Sequence, residues 1–185
     1  VSLPSLDVDV VRPIVADASD LINAKLDSGQ TLLHLATDSG HAPIVTLLLR
    51  EFGADPSIRN DDGWTPLHYC RSNEMILAFI AGKDDLDVNV TNLEGTPAFS
   101  FIVQIRDLEA DTLNVLLDRL GADVHRKNQQ LESPLHFAAI RGSEATLESL
   151  LKKRADPNAA NDRGESPLVY AMRAHRAVAA SALVA

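Results

Sequence analysis

The sequence predicts an all-α solenoid, in which helix–turn–helix units joined by hairpin-like loops stack side by side. Three observations carry that expectation. The stretch Gly63-Trp64-Thr65-Pro66-Leu67-His68 recurs, with losses, as Thr31-Leu32-Leu33-His34, Thr96-Pro97-Ala98-Phe99, Ser133-Pro134-Leu135-His136 and Ser166-Pro167-Leu168-Val169. The five copies begin at residues 31, 65, 96, 133 and 166, and such a fixed period of a few tens of residues marks a repeat architecture. Downstream of two copies, Ile44-Val45 with Leu47-Leu48-Leu49, and Leu113 with Leu116-Leu117 and Leu120, fall at helical spacing. Finally, the chain is 45% apolar but only 4% aromatic, a composition suited to closely stacked helices.

Each residue of the recurring stretch has a local role. Thr65 or Ser133 is an N-cap whose hydroxyl accepts a bond from an orphan N–H of the first turn. Pro66, Pro134 and Pro167 then occupy the first helical position, where the missing N–H costs nothing. Leu67, Leu135 and Leu168 begin the apolar stripe. His34, His68 and His136 fall at the third helical position, where an imidazole reaches back to the cap or the adjoining loop. At the far end of the unit, Gly53 and Gly121 sit where a left-handed residue closes a helix, and Gly53-Ala54-Asp55 and Gly121-Ala122-Asp123 turn the chain outward. A unit reads turn, short helix, turn, longer helix, extended loop. None can bury its apolar face alone, so stacking makes the core.

With these motifs in place, the chain resembles the ankyrin-repeat family over roughly residues 18–176. The resemblance divides it into a degenerate N-terminal cap or half repeat (1–25), repeats at 26–59, 60–90, 91–126 and 127–159, and a C-terminal capping repeat (160–185). Two readings compete for residues 1–17: a degenerate capping helix, or an extended strand along the solenoid. Leu3, Val8, Val10, Val11, Ile14 and Val15 are apolar there, while Pro4 and Pro13 break any long helix. Asn23 stands at the family's usual asparagine, and Leu32 replaces its proline. In the second repeat the Gly-His turn is absent after Asn73, the outer helix (Met75 to Ile80) reads as short, and 81–85 reads as a surface excursion. The third repeat lacks one residue between Gly95 and Thr96, carries Phe99 in place of histidine, and has extra chain between Phe101 and Leu113. Such insertions map to surface loops, often near a binding face, though drift without function is the competing account. Arg154 and Leu131 replace glycines, which makes left-handed turns there costlier. The last helix, Ala177 to Val184, has a weak apolar face.

Several function classes are excluded or disfavoured. A net charge of −9 argues against general nucleic-acid binding. Cys70 is the single cysteine, so there is no intrachain disulfide framework; this fits a reducing compartment, and an intracellular location, cytoplasmic or nuclear, is expected. No apolar run approaches membrane-spanning length. The first residue is Val, so a fragment of a longer protein is one reading. The six histidines lack companions at ligand spacing, and no metal is expected. No phosphate loop, nucleophile elbow or paired-carboxylate motif is present, and Cys70 reads as a small buried hydrophobe. The chain is expected to be non-enzymatic and to need no cofactor.

What remains is surface. In the family, partner proteins bind a concave face of hairpin tips and inner helices. The resemblance carries the tip role to Asp61, Asp62, Trp64, Gln129, Gln130, Glu132, Asp162, Arg163 and Glu165. It carries the inner-helix role to Asp38, Ser39, Ser72, Asn73, Ile140, Arg141 and Arg173. Trp64, the only tryptophan, is the leading anchor, because tryptophan is enriched at interface hot spots; packing on a neighbouring hairpin is the competing reading. Residues 121–185 carry nine basic against seven acidic side chains, whereas residues 1–120 carry eight against nineteen, so the groove is expected to run from acidic to basic. The expected function is protein–protein recognition, with the partner unidentified. Two alternatives stay open: a regulatory or targeting module of a larger protein or enzyme, or a binder of an anionic ligand at the basic C-terminal end.

Overall fold

The computed structural model describes residues 7–17 and 19–184. Leu3 and Pro4 of the expected cap lie outside them. Among the described residues there are helices and one isolated antiparallel bridge, Thr91 to Pro97, and no strand. Of the N-terminal segment, the described part is helical, as α1 (Val8–Asp17), and not an extended strand. Pro13 lies inside α1 rather than at its boundary. Val15 anchors α1 in the core, and Arg12 pairs with Glu51.

The helices come in pairs. Helices α2 (Leu32–Asp38) and α3 (Ala42–Glu51) form the first. In the second, a single 3-10 turn (Pro66–Tyr69) stands where α2 has its counterpart, followed by α4 (Asn73–Gly82). Helix α5 (Ala98–Ile102) pairs with α6 (Ala110–Asn114), which continues into a π-turn over Val115–Arg119. Two regular pairs close the chain: α7 (Pro134–Arg141) with α8 (Glu144–Lys152), and α9 (Pro167–Arg173) with α10 (Ala177–Val184). The core runs continuously between them, through Leu33, Leu48, Leu67, Ile76, Phe79, Phe99, Leu116, Leu135 and Leu147.

The middle pairs depart from expectation for physical reasons. The outer helix of the second pair is not short. Ser72 caps it, accepting from Met75 N–H at 3.3 Å, so α4 starts two residues earlier than Met75 and runs for 10 residues. The shortening falls instead on the inner helix, which stops at Cys70 (ψ 128°). In the third pair the extra chain is no loose loop, because Ile105 and Leu108 are buried within it. With one residue missing before Thr96, Pro97 becomes the N-cap of α5 rather than its first residue. Phe99, at the histidine position, is fully buried and keeps that site apolar. Gly53 and Gly121 adopt positive φ (65° and 64°), and so do Leu131 (61°) and Arg154 (64°) at the substituted positions.

Candidate recognition face

The three motif histidines are structural. In each, Nδ1 accepts from the backbone N–H of the cap residue: Thr31 to His34 at 3.0 Å, Thr65 to His68 at 3.1 Å, Ser133 to His136 at 3.1 Å. The proton therefore sits on Nε2, which donates into the following unit: to the carbonyl oxygens of Trp64 (3.0 Å), Thr96 (3.3 Å) and Glu165 (3.1 Å). Burial drives all three pKa values down, that of His68 to about 4, because a desolvated imidazole resists protonation. No group of His, Cys, Asp or Glu among the described residues is arranged to hold a metal. Cys70 is buried, and desolvation pushes its thiol well above the ordinary range, away from nucleophilic chemistry.

The hairpin loops are built the same way each time. Asn60, Asn92, Asn128 and Asn161 are buried, and each side-chain oxygen accepts two backbone N–H groups of its own loop. The loops also lean on one another: Asp61 N–H donates to Ser28 O, Gln129 N–H to Glu94 O, and Asp162 N–H to Gln130 O. This fixes the tips in a row. Asp61, Asp62, Gln129 and Arg163 are exposed on it, while Trp64, Gln130, Glu132 and Glu165 are half-buried. Asp38 and Ser39 are exposed at the end of α2.

Two expected groove positions are displaced. Asn73 does not face the groove: it opens α4, is buried, and its side chain accepts from Glu109 N–H at 3.1 Å. Ser72 is occupied as the α4 cap. Both shifts follow from the early end of the inner helix at Cys70. Four further positions are partly occupied. The Ile140 carbonyl accepts from Arg176, Arg173 pairs with Glu165, and Glu132 accepts from Tyr170 O–H. Burial, and then the Glu132 carboxylate, push the Tyr170 hydroxyl up to about 12.

Trp64 packs on Tyr69 (ring centroids 5.4 Å apart) and on Phe101 of the next unit (4.8 Å), and Phe101 in turn faces Phe137 at 5.9 Å. The tryptophan thus packs on its neighbours while staying only half-buried. The rings continue from one unit to the next, where the sequence pointed to Trp64 alone. Where the second inner helix stops short, a hollow of about 420 Å³ opens, lined by Trp64, Phe101, Arg71, Arg106, Asp107 and Arg141, among others. Sequence reasoning named Trp64 and Arg141 and missed the rest, because neither the shortened helix nor the inward anchoring of the inserted segment shows in single-residue identities.

Paired short helices, a cap-bonded histidine in three of the units and loops stacked tip to tip define a helical-repeat protein. A family model described as ankyrin repeats, in three copies, matches residues 6–92 and 101–185, and the chain belongs to the ankyrin-repeat family. It is 27% identical over 170 residues to a putative palmitoyltransferase of Danio rerio, covering 90% of this chain and 26% of the relative. It is 28% identical over 148 residues to the transient receptor potential cation channel subfamily A member 1 of Homo sapiens, covering 78% and 13%. It is 33% identical over 179 residues to ankyrin repeat and SOCS box protein 16 of Mus musculus, covering 88% and 38%. The chain therefore spans well under half the length of these relatives. Ankyrin repeats are protein-interaction modules and are generally non-catalytic. No helix among the described residues is long and apolar enough to cross a membrane.

Proposed function

We propose that this chain is a non-catalytic recognition module that binds a partner protein through the concave face of hairpin tips and inner helices. The observation that supports the reading is the row of half-buried rings, Trp64, Phe101 and Phe137, running across three successive units. Aromatic groups held rigidly by their neighbours and left partly uncovered supply contact area at low entropic cost, as interface anchors do. The exposed polar side chains beside them, Asp61, Asp62, Gln129 and Arg163, suit the rim of such an interface.

The test is capture from cell lysate with mass-spectrometric identification, comparing wild type with a Trp64→Ala/Arg141→Glu double variant of matched circular dichroism. A protein retained by wild type and lost by the variant supports the reading. Equal retention by both sinks it and moves attention to the convex side.

A second reading, that the chain is a regulatory or targeting module of a larger protein, draws on its covering only 13% to 38% of these relatives, among them a putative palmitoyltransferase and a channel. Capture by the full-length gene product tests it. The anionic-ligand reading for the C-terminal end is weakened, because Arg173 is paired with Glu165 and Arg176 donates to the carbonyls of Ile140 and Gly142.

A further inference from the structure

The hollow beside Trp64 has a charge pattern opposite to that of the whole molecule. The chain carries a net charge of −9, yet Arg71, Arg106 and Arg141 converge on this one cavity, with Asp107 as the carboxylate on its lining. All three arginines are exposed, and none makes an ion pair or a side-chain hydrogen bond among the described residues. Several other cations are engaged: Arg12 with Glu51, Arg119 with Asp84, Lys153 with Asp118, Arg173 with Glu165. Arg126, Arg154 and Arg163 are unpaired too among the described residues, but none of them lines this hollow. Residues 71, 106 and 141 are also equally spaced, and each follows or ends the inner helix of its own unit, so they form a row along one edge of the stack. Arg176 takes the next step of the same interval, but its guanidinium is committed to the carbonyls of Ile140 (3.1 Å) and Gly142 (2.8 Å). The free row thus ends at the hollow. The apolar wall between the arginines is the Trp64–Phe101 contact.

We infer that this hollow is the docking site for an acidic linear segment of a partner protein, whose carboxylates pair with Arg71, Arg106 and Arg141 while an apolar side chain packs on Trp64 and Phe101. The proposal rests on the reading of this face as the recognition surface and narrows it to one chemistry. Guanidinium groups match carboxylates in planar, two-point fashion, and the aromatic wall lowers the local dielectric around the pairs. A row suits a chain rather than a compact anion. Stacked helices lie about 8–10 Å apart, and an extended peptide advances about 3.3 Å per residue. Successive arginines would therefore meet acidic residues about every third position. The surrounding negative charge repels acidic chains that lack this register, which sharpens specificity more than affinity.

The test uses the 185-residue chain as bait for a displayed library of random, genetically encoded linear peptides. Selected peptides are then measured by fluorescence anisotropy. Enrichment of Asp and Glu at about every third position around an apolar residue is expected. Arg71→Gln, Arg106→Gln and Arg141→Gln should each weaken such peptides about ten-fold, the scale of one lost charge-assisted bond. Because these side chains are exposed and unpaired, the variants should keep the wild-type circular dichroism, and a charge-reversed Arg71→Glu/Arg141→Glu variant should bind Lys-substituted peptides in their place. Peptides without acidic bias that depend on Trp64 but not on the arginines would overturn this proposal and leave the concave-face reading standing. Peptides indifferent to both Trp64→Ala and the arginine variants would overturn both. A library yielding no binder overturns the acidic-segment proposal, and the lysate capture then judges the face separately.

Discussion

His136 donates from Nε2 to the carbonyl oxygen of Glu165, 3.1 Å away in the next repeat, while its Nδ1 accepts from Ser133 N–H. One ring thus caps its own helix and ties two units together, and it does so only as the neutral tautomer. His34 and His68 repeat the arrangement. Protonation would turn the Nδ1 acceptor into a donor facing an N–H.

Stability should accordingly fall on mild acidification. In the folded chain the pKa of His68 lies near 4, below its ordinary 6.5, because burial disfavours the cation. The unfolded chain therefore takes up more protons between these values. The stabilisation is fully present above about pH 6.5 and is lost as pH falls toward 4, by roughly 3 kcal/mol for His68 if the whole shift is expressed. His34 and His136 act in the same direction. Urea midpoints measured across this range should decline in wild type. They should decline less in His68→Gln, whose amide N–H replaces the Nε2 donor to Thr96 O without titrating. Identical slopes in the two proteins would show that the imidazole is not the sensor.

Leu131 and Arg154 hold left-handed backbone, with φ of 61° and 64°, where the sequence pattern calls for glycine. A side chain costs about 1–2 kcal/mol there, partly offset by glycine's greater freedom in the unfolded chain. Leu131→Gly and Arg154→Gly are each expected to stabilise by about 0.5–1 kcal/mol, read as a higher urea midpoint with an unchanged m-value. Leu131 is 48% exposed, so little packing is lost. A fall in midpoint for both would mean that side-chain contacts outweigh the backbone strain.

These two residues show how much of the fold was legible. The histidine, proline and glycine positions have local, stereochemical roles, so the motif located the caps, the turns and even the strained substitutions from sequence alone. The middle of the chain was harder. The spacings from 65 to 96 and from 96 to 133 reveal a deletion and an insertion, but not which helix absorbs them. Ser72 settles the first by capping α4 early, and Ile105 and Leu108 settle the second by turning inward. Both depend on tertiary packing that no local pattern encodes. The surroundings of the hollow were legible to the same degree. Of the residues lining it, Trp64 and Arg141 were named from repeat position and Arg71, Arg106 and Phe101 were not, while Asn73, expected at the surface, is buried, because the early helix end redistributes which side chains are exposed.

Gly63 tests how tightly the hairpins stack. Its φ is 76°, and a Cβ there would lie 2.7 Å from Leu93 Cγ and 2.8 Å from Leu93 N in the next loop. Gly164 has nearly the same φ, 74°, but nothing within 4 Å. Gly164→Ala should therefore cost only the dihedral strain, about 1–2 kcal/mol. Gly63→Ala adds a clash with backbone, worth about 1–3 kcal/mol more. Chemical denaturation of the pair isolates the stacking term by difference, and equal losses would show that the loop after Asn92 yields freely.

A second tie between units is the loop asparagine. Asn89 donates to Gly121 O and accepts from Asp123 N–H, both at 2.8 Å, and Asn23 makes the same two bonds to Gly53 and Asp55. His125 occupies the corresponding place one unit later, and there the bridge is missing. Asp156 N–H and Arg154 O, the groups an asparagine would reach, make no hydrogen bond to the described residues. The junctions between repeats are thus unequally fastened, and in a solenoid each junction contributes its own coupling term. Asn89→Ala should lose about 1–2 kcal/mol and broaden the unfolding transition, because the two halves of the stack come apart more independently. His125→Asn should add a similar bridge between the third and fourth repeats and sharpen the transition. Hydrogen exchange checks where the change falls. Slower exchange at Asp156 N–H in His125→Asn, with residues 7–60 unaffected, is the expected result, whereas unchanged exchange at Asp156 would show that the asparagine does not reach across.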